Sequence, residues 1–114
     1  PPDALPVGGG YPTPATPAEA ALAAARNLVS AFSEELVTRA YLVTRLAVLL
    51  RSQGEAVFVA AVLFAAYHLN QGLPGLATTF VMGLGYGAAF LVLRRVWPLA
   101  LGHAAYNTLL DLQA

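Results

Sequence analysis

An all-α, polytopic transmembrane helix bundle is the fold class this sequence predicts, and three observations carry that reading. Hydrophobic residues make up 58% of the 114 and charged residues only 11%, where an average soluble domain has roughly a quarter charged. Mean hydropathy is +0.64, so there is too little polar surface to cover a water-soluble globule. From Ala56 to Leu93 no Asp, Glu, Lys or Arg occurs, a length that needs more than one helix to cross a bilayer core.

Residues 1 to 17 hold six of the eight prolines and the run Gly8, Gly9, Gly10, a composition that cannot bury enough apolar surface to order itself and predicts a linker. The chain begins on Pro1 with no basic segment leading into an apolar core and cleavage site, so the opening is not read as a signal peptide. It reads instead as a core fragment of about four helices, incomplete at its N-terminus. The domain proper is expected over 18 to 114.

From Ala18 to about Ser52 the pattern is helical, alanine-rich and then leucine- and valine-rich, with Gly54 as its C-terminal stop. Ser33 offers a break, because serine favours N-caps, and would place Glu34 and Glu35 at the start of a main helix over 34 to 52. The turn-forming group Asn70 to Gly75 divides the uncharged stretch into helices over about 55 to 70 and 74 to 94. Pro98 suits the first turn of a last helix over 98 to 113, where its missing N–H is not needed. The second and fourth segments are shorter than the roughly 20 residues of a full crossing and are expected to be partial spans. In the third, Gly75, Thr79, Gly83 and Gly87 form one small-residue stripe, which predicts close helix packing and not chemistry.

Formal net charge is zero and the basic residues are scattered, which favours neither a nucleic-acid partner nor a polybasic membrane arm. With no cysteine, disulfides, thiolate metal sites and cysteine nucleophiles are excluded. The few polar groups are therefore conspicuous, since ionisable side chains at membrane depth are costly and mark function by default. Glu35 and Arg39 lie four apart on one helical face, so the guanidinium can hold that carboxylate while Glu34 points about 100° round the helix and is left free. Phe64 and His68 repeat that spacing, as do His103 and Asn107, with Asp111 continuing the last stripe. Each pair alone is ordinary: an ion pair, a hydrogen-bonded core histidine, an interhelical bond. Three helices bringing three such clusters to one bundle interior is less so. The aromatics Tyr67, Tyr86, Tyr106 and Trp97 read as packing or interface residues.

Glu34-Glu35-Leu36-Val37-Thr38-Arg39, then Phe64-Ala65-Ala66-Tyr67-His68, then His103-Ala104-Ala105-Tyr106-Asn107 resemble the ordered motifs EExxxR, FxxxH and HxxxN of the CPBP intramembrane proteases. That group includes the type II CAAX prenyl endopeptidases and the bacterial Abi or bacteriocin-immunity proteins. The resemblance covers about residues 18 to 114. It implies a multi-pass protein of the cell membrane that hydrolyses peptide bonds by a water-mediated route, with Glu34 as general base and His68 helping to bind the water. Glu35 and Arg39 would orient and support Glu34, and His103 with Asn107 would form the oxyanion hole. No cofactor is expected. The alternative is a zinc ion on Glu34, His68 and His103, although HExxH is missing.

The partners this implies are membrane lipids and a peptide or lipidated peptide substrate, with no nucleic acid. Two other functions remain open on the residues: a non-catalytic membrane immunity or scaffold protein of the same fold, and part of a proton-relaying transporter. Orientation is not settled either. Arg51, Arg94 and Arg95 favour the cytoplasm for their end of the bundle, which puts Glu34, about 25 Å of helix from Arg51, toward the outer leaflet, whereas prenyl-protein processing wants access from the cytoplasm. His103, only five residues after Pro98, reads as shallower than Glu34.

Overall fold

The computed structural model describes residues 13–113, and among them the chain is all-α. The first 12 residues of the expected linker lie outside the described part, and residues 13 to 16 lead into the first helix. That helix, α1, runs Pro17–Glu35. Thr16 caps it, its hydroxyl accepting from the Glu19 amide at 3.1 Å, while Glu19 accepts from the Ala15 amide at 2.6 Å. This Thr-x-x-Glu arrangement satisfies two otherwise orphaned donors, and Pro17 fits the first helical position.

The break expected at Ser33 does not occur. The Ser33 hydroxyl donates to the Val29 carbonyl at 2.9 Å and so is not available as a cap, and no Pro or Gly lies nearby to stop the helix. Glu34 and Glu35 therefore end α1 instead of starting a helix. The rod continues through a π-helical stretch, Leu36–Val43, in which amides reach back five residues, a geometry often found at functional sites. It then resumes as α2, Thr44–Leu50.

Gly54 is not the stop either. Arg51 takes the left-handed conformation at φ 56°, and Ser52 caps α3, Gln53–Tyr67, by accepting from the Glu55 amide at 3.1 Å. Gly54 falls inside the first turn of α3, where Ser52-Gln53-Gly54-Glu55 supplies a second capping sequence. His68 ends α3, and a 3-10 turn over Leu69–Gln71 leads to Gly72 at φ 78°, a value glycine adopts without strain. From there α4 runs Gly72–Leu93 and stops at Arg94, also left-handed. The last helix, α5, covers Trp97–Gln113 with Pro98 in its first turn.

Helix α3 packs chiefly on α4, and α1 on α5. The α3 and α4 contact is built on glycine: a Cβ added to Gly83 would lie 3.0 Å from the Ala61 backbone, and one on Gly87 would lie 2.6 Å from Val57 Cγ1. The small-residue stripe is thus a packing face, as expected. Val43, Ala56, Val57, Ala60, Phe90 and Leu99 form the apolar core where the π segment, α3, α4 and the start of α5 converge.

The assembly is flat, 48 × 28 × 15 Å, and many large apolar side chains lie outside it, among them Leu22, Val48, Leu73 and Val92. Only the segment Leu69–Leu93 among the described residues is long and apolar enough to cross a membrane, with a mean hydropathy of 1.8; Gln53–Tyr67 is a shorter apolar helix.

Candidate active site

Helices α1 and α5 run antiparallel, and both carry polar residues on the facing stripe. On the first rod the buried stripe reads Ala23, Asn27, Ala31, Glu35, Arg39, Val43; on α5 it includes Leu99, His103 and Asp111. Small Ala31, Ala100 and Ala104 let the backbones approach. Leu99 is anchored in the core beside Val43 and Phe90, which carries the next turn of α5, and with it His103, up to the two glutamates. The expected difference in depth between His103 and Glu34 is therefore absent.

His103 is the centre of the site. Its Nδ1 donates to Glu35 Oε1 at 2.9 Å, and its Nε2 lies 3.4 Å from Glu34 Oε2. Glu34 is thus not left free, contrary to what helical geometry alone suggested; it faces the imidazole. The other Glu35 oxygen lies 3.3 Å from Arg39 Nε, the ion pair expected from the i,i+4 spacing. Glu35 is fully buried and Arg39 and His103 nearly so, whereas the Glu34 side chain keeps 27% of its surface exposed. Of the two carboxylates, Glu34 is the one a water or a substrate can reach.

Two rings close the site. The Arg39 guanidinium carbon lies 4.9 Å from the Phe64 ring centre and 5.6 Å from that of Tyr86. Its two Nη atoms are buried with no hydrogen-bond partner, so the ring faces and Glu35 carry its charge. Tyr86 stacks on the His103 ring at 5.7 Å, and Phe64 meets it edge-on at 6.2 Å. Tyr86 belongs to the site although its position in an apolar helix gave no separate sign of it.

His68 joins through Phe64, whose ring lies 4.6 Å from the imidazole. Its Nδ1 donates to the Phe64 carbonyl at 2.8 Å, which leaves Nε2 available to another partner. Asn107 is half-buried one turn beyond His103, and its side chain makes no hydrogen bond among the described residues. The structure therefore joins Glu34, Glu35, Arg39 and His103 directly, brings His68 in through an aromatic ring, and leaves Asn107 beside the cluster.

The donor set is a poor match for zinc. Both nitrogens of His103 face carboxylates and Nδ1 of His68 is turned onto a carbonyl, and no three His, Asp or Glu side chains among the described residues form a metal-holding group.

A polar seam built on helices that expose so much apolar surface suits a membrane hydrolase, and comparison with known proteins bears on that class. The family model described as type II CAAX prenyl endopeptidase Rce1-like matches residues 16–109. The chain belongs to this family of membrane-embedded CAAX-type proteases. No curated protein and no solved structure matches it.

Proposed function

We propose that this chain is an intramembrane endopeptidase that cleaves a peptide or lipidated peptide by direct attack of water, with Glu34 as general base. The observation that supports this most is the partly exposed Glu34 carboxylate facing Nε2 of a histidine whose other nitrogen is fixed by buried Glu35. A base oriented by a neighbour that is itself oriented is the arrangement general-base hydrolysis uses.

In this reading Glu34 takes a proton from water as the oxygen adds to the peptide carbonyl carbon. Nε2 of His103, which in this reading carries its own proton because the ring faces two carboxylates, and the amide of Asn107, one helical turn apart on α5, donate to the oxyanion that forms. His68 binds the same water through its unengaged Nε2. Collapse of the tetrahedral intermediate breaks the C–N bond, and the proton held by Glu34 passes to the leaving amine. Glu35 and Arg39 keep His103 in place. No step requires a metal.

The exposed apolar faces contact lipid, and the chain sits in the cell membrane as a multi-pass protein. An apolar cleft between α1 and α5, lined by Phe32, Ser33, Trp97 and Leu101 among others, opens beside Glu34 in sequence and gives an aliphatic portion of the substrate a place to lie.

The test is Glu34→Gln in purified protein reconstituted in liposomes, assayed with a fluorogenic prenylated peptide. Cleavage is expected to fall by about a hundredfold or more, the scale of a lost general base. Parent-like cleavage by the variant would remove Glu34 from this role. Protection of a partner without any cleavage by the parent would favour the non-catalytic immunity or scaffold reading.

A further inference from the structure

A second polar cluster lies at the far end of the seam between α1 and α5. Asp111, 1% exposed at its side chain, accepts through Oδ2 from Arg26 Nη2 at 2.9 Å and from Asn27 Nδ2 at 2.9 Å. Asn27 Nδ2 also lies 3.1 Å from Thr108 Oγ1. Among the described residues no hydrogen bond or ion pair joins Asn27, Thr108 or Asp111 to Glu34, Glu35, Arg39 or His103, and a buried polar network about two helical turns from the His103 contact calls for a reason.

The reason is in the register. Asn27 pairs with Asp111 and Glu35 with His103; the step from 27 to 35 is eight residues, and so is the step from 103 to 111. Two polar contacts about 12 Å apart along the helices thus share one antiparallel alignment. Sliding α5 by one turn in either direction would set Asp111 against Ala23 or Ala31, both buried and without a side-chain donor, and would move His103 level with Ala31 or Arg39 respectively. The first leaves a carboxylate buried and unpaired, a penalty no alanine offsets. The seam's other buried side chains are mostly alanines, which allow close approach but distinguish poorly between registers. Fixing a register is the best-attested use of a buried polar group.

We infer that Asp111, held by Asn27 and Arg26, is a positioning residue that fixes the register of α5 on α1 and so sets His103 against Glu34 and Glu35. Helix α5 rests mainly on α1 and has little contact with α4, so this alignment is set largely at the seam. The inference rests on the catalytic reading of Glu34 and His103 only for its kinetic consequence; the register itself is a structural claim with its own readout.

The experiment uses the full chain in liposomes. Because the sequence has no cysteine, Ser33→Cys and Ala105→Cys, both exposed positions, take one spin label each and report the distance between α1 and α5 beside the site. Asp111→Leu is expected to broaden that distance distribution or displace it by up to about one helical turn, about 5 Å. It should also lower kcat for a fluorogenic prenylated peptide about tenfold to a hundredfold, with KM within about twofold, because misplacement of a catalytic group is felt in the chemical step. Asn27→Asp combined with Asp111→Asn restores a carboxylate and an amide with their ends exchanged, and should recover both readouts.

An unchanged distance in Asp111→Leu, or a displaced distance with kcat unchanged, overturns the inference. A parent that cleaves nothing overturns the catalytic reading, while the distance measurement still decides the register. Should Asp111→Leu fail to fold, Asn27→Ala removes the amide donor from the other helix and carries the same two readouts and the same refuting outcomes.

Discussion

Adjacent glutamates in this chain should respond to the same substitution in opposite ways. Glu35→Gln leaves an oxygen to accept from Nδ1 of His103 but removes the counter-charge of Arg39, whose Nε lies 3.3 Å away. At that separation and an effective dielectric of about 20, the attraction is about 5 kcal/mol. Both partners are essentially out of water, and the Arg39 Nη atoms have no hydrogen-bond partner to fall back on. Removing one member of such a pair costs about 3–5 kcal/mol, a large share of the roughly 5–15 kcal/mol that holds a domain together. Glu34, partly exposed and 3.4 Å from His103, should cost about 1 kcal/mol or less on conversion to Gln.

Unfolding in mixed micelles, followed by far-ultraviolet circular dichroism against rising SDS, separates the two. Glu35→Gln should move the midpoint strongly and Glu34→Gln barely, while Glu34→Gln alone abolishes cleavage in protein that is still folded. Equal shifts for the two variants would refute the division between a supporting and a reacting carboxylate. One further variant tests the electrostatic argument itself: Glu35→Leu with Arg39→Met should be more stable than either single change, because an apolar pair of similar bulk avoids the desolvation cost altogether.

Two other outcomes follow from the structure. Gly87→Ala pushes a Cβ to 2.6 Å from Val57 Cγ1 and should cost about 1–3 kcal/mol of stability in the same unfolding assay, whereas Gly85→Ala, with nothing within 4 Å, should be neutral or gain up to about 1 kcal/mol. Treating active protein with a chelator should leave peptide cleavage intact; loss of activity restored by added zinc would favour the metal alternative on Glu34, His68 and His103.

What the sequence made legible was local. The Glu35 and Arg39 pair, the tilted ring contact of Phe64 with His68 and the glycine face of α4 all follow from residues four apart on one helix, where periodicity dictates proximity. Helix ends were less legible because several residues compete for each one. Ser33 had the option of capping a new helix or bonding back to Val29 and does the latter; Arg51 takes a left-handed stop that Gly54 was better suited to provide. The Ser52 and Glu55 pair that fixes the start of α3 was present in the sequence as a capping pattern. The meeting of His103 with both glutamates joins residues 68 positions apart, and only tertiary packing decides that the imidazole faces Glu34 as well as Glu35. Tyr86 had no local signal, since a tyrosine in an apolar helix reads as packing until a charged partner is seen above its ring.

The two helix pairs are fastened by different physics, and the site depends on the difference. Helices α3 and α4 meet through glycine, alanine and valine, a dry contact with little polar character, while α1 and α5 meet through Asn27 with Asp111 and Glu35 with His103. Phe64 from α3 and Tyr86 from α4 are the link, their rings packed against Arg39 and His103. A bulky change at Gly83 or Gly87 therefore moves α4 away from α3 and carries Tyr86 off the imidazole without touching any carboxylate. The polar seam gives the site its charges; the glycine contact sets how tightly the aromatic walls close around them, which in a flat bundle with exposed apolar surfaces is what keeps buried Glu35 and Arg39 paired with each other and not with water.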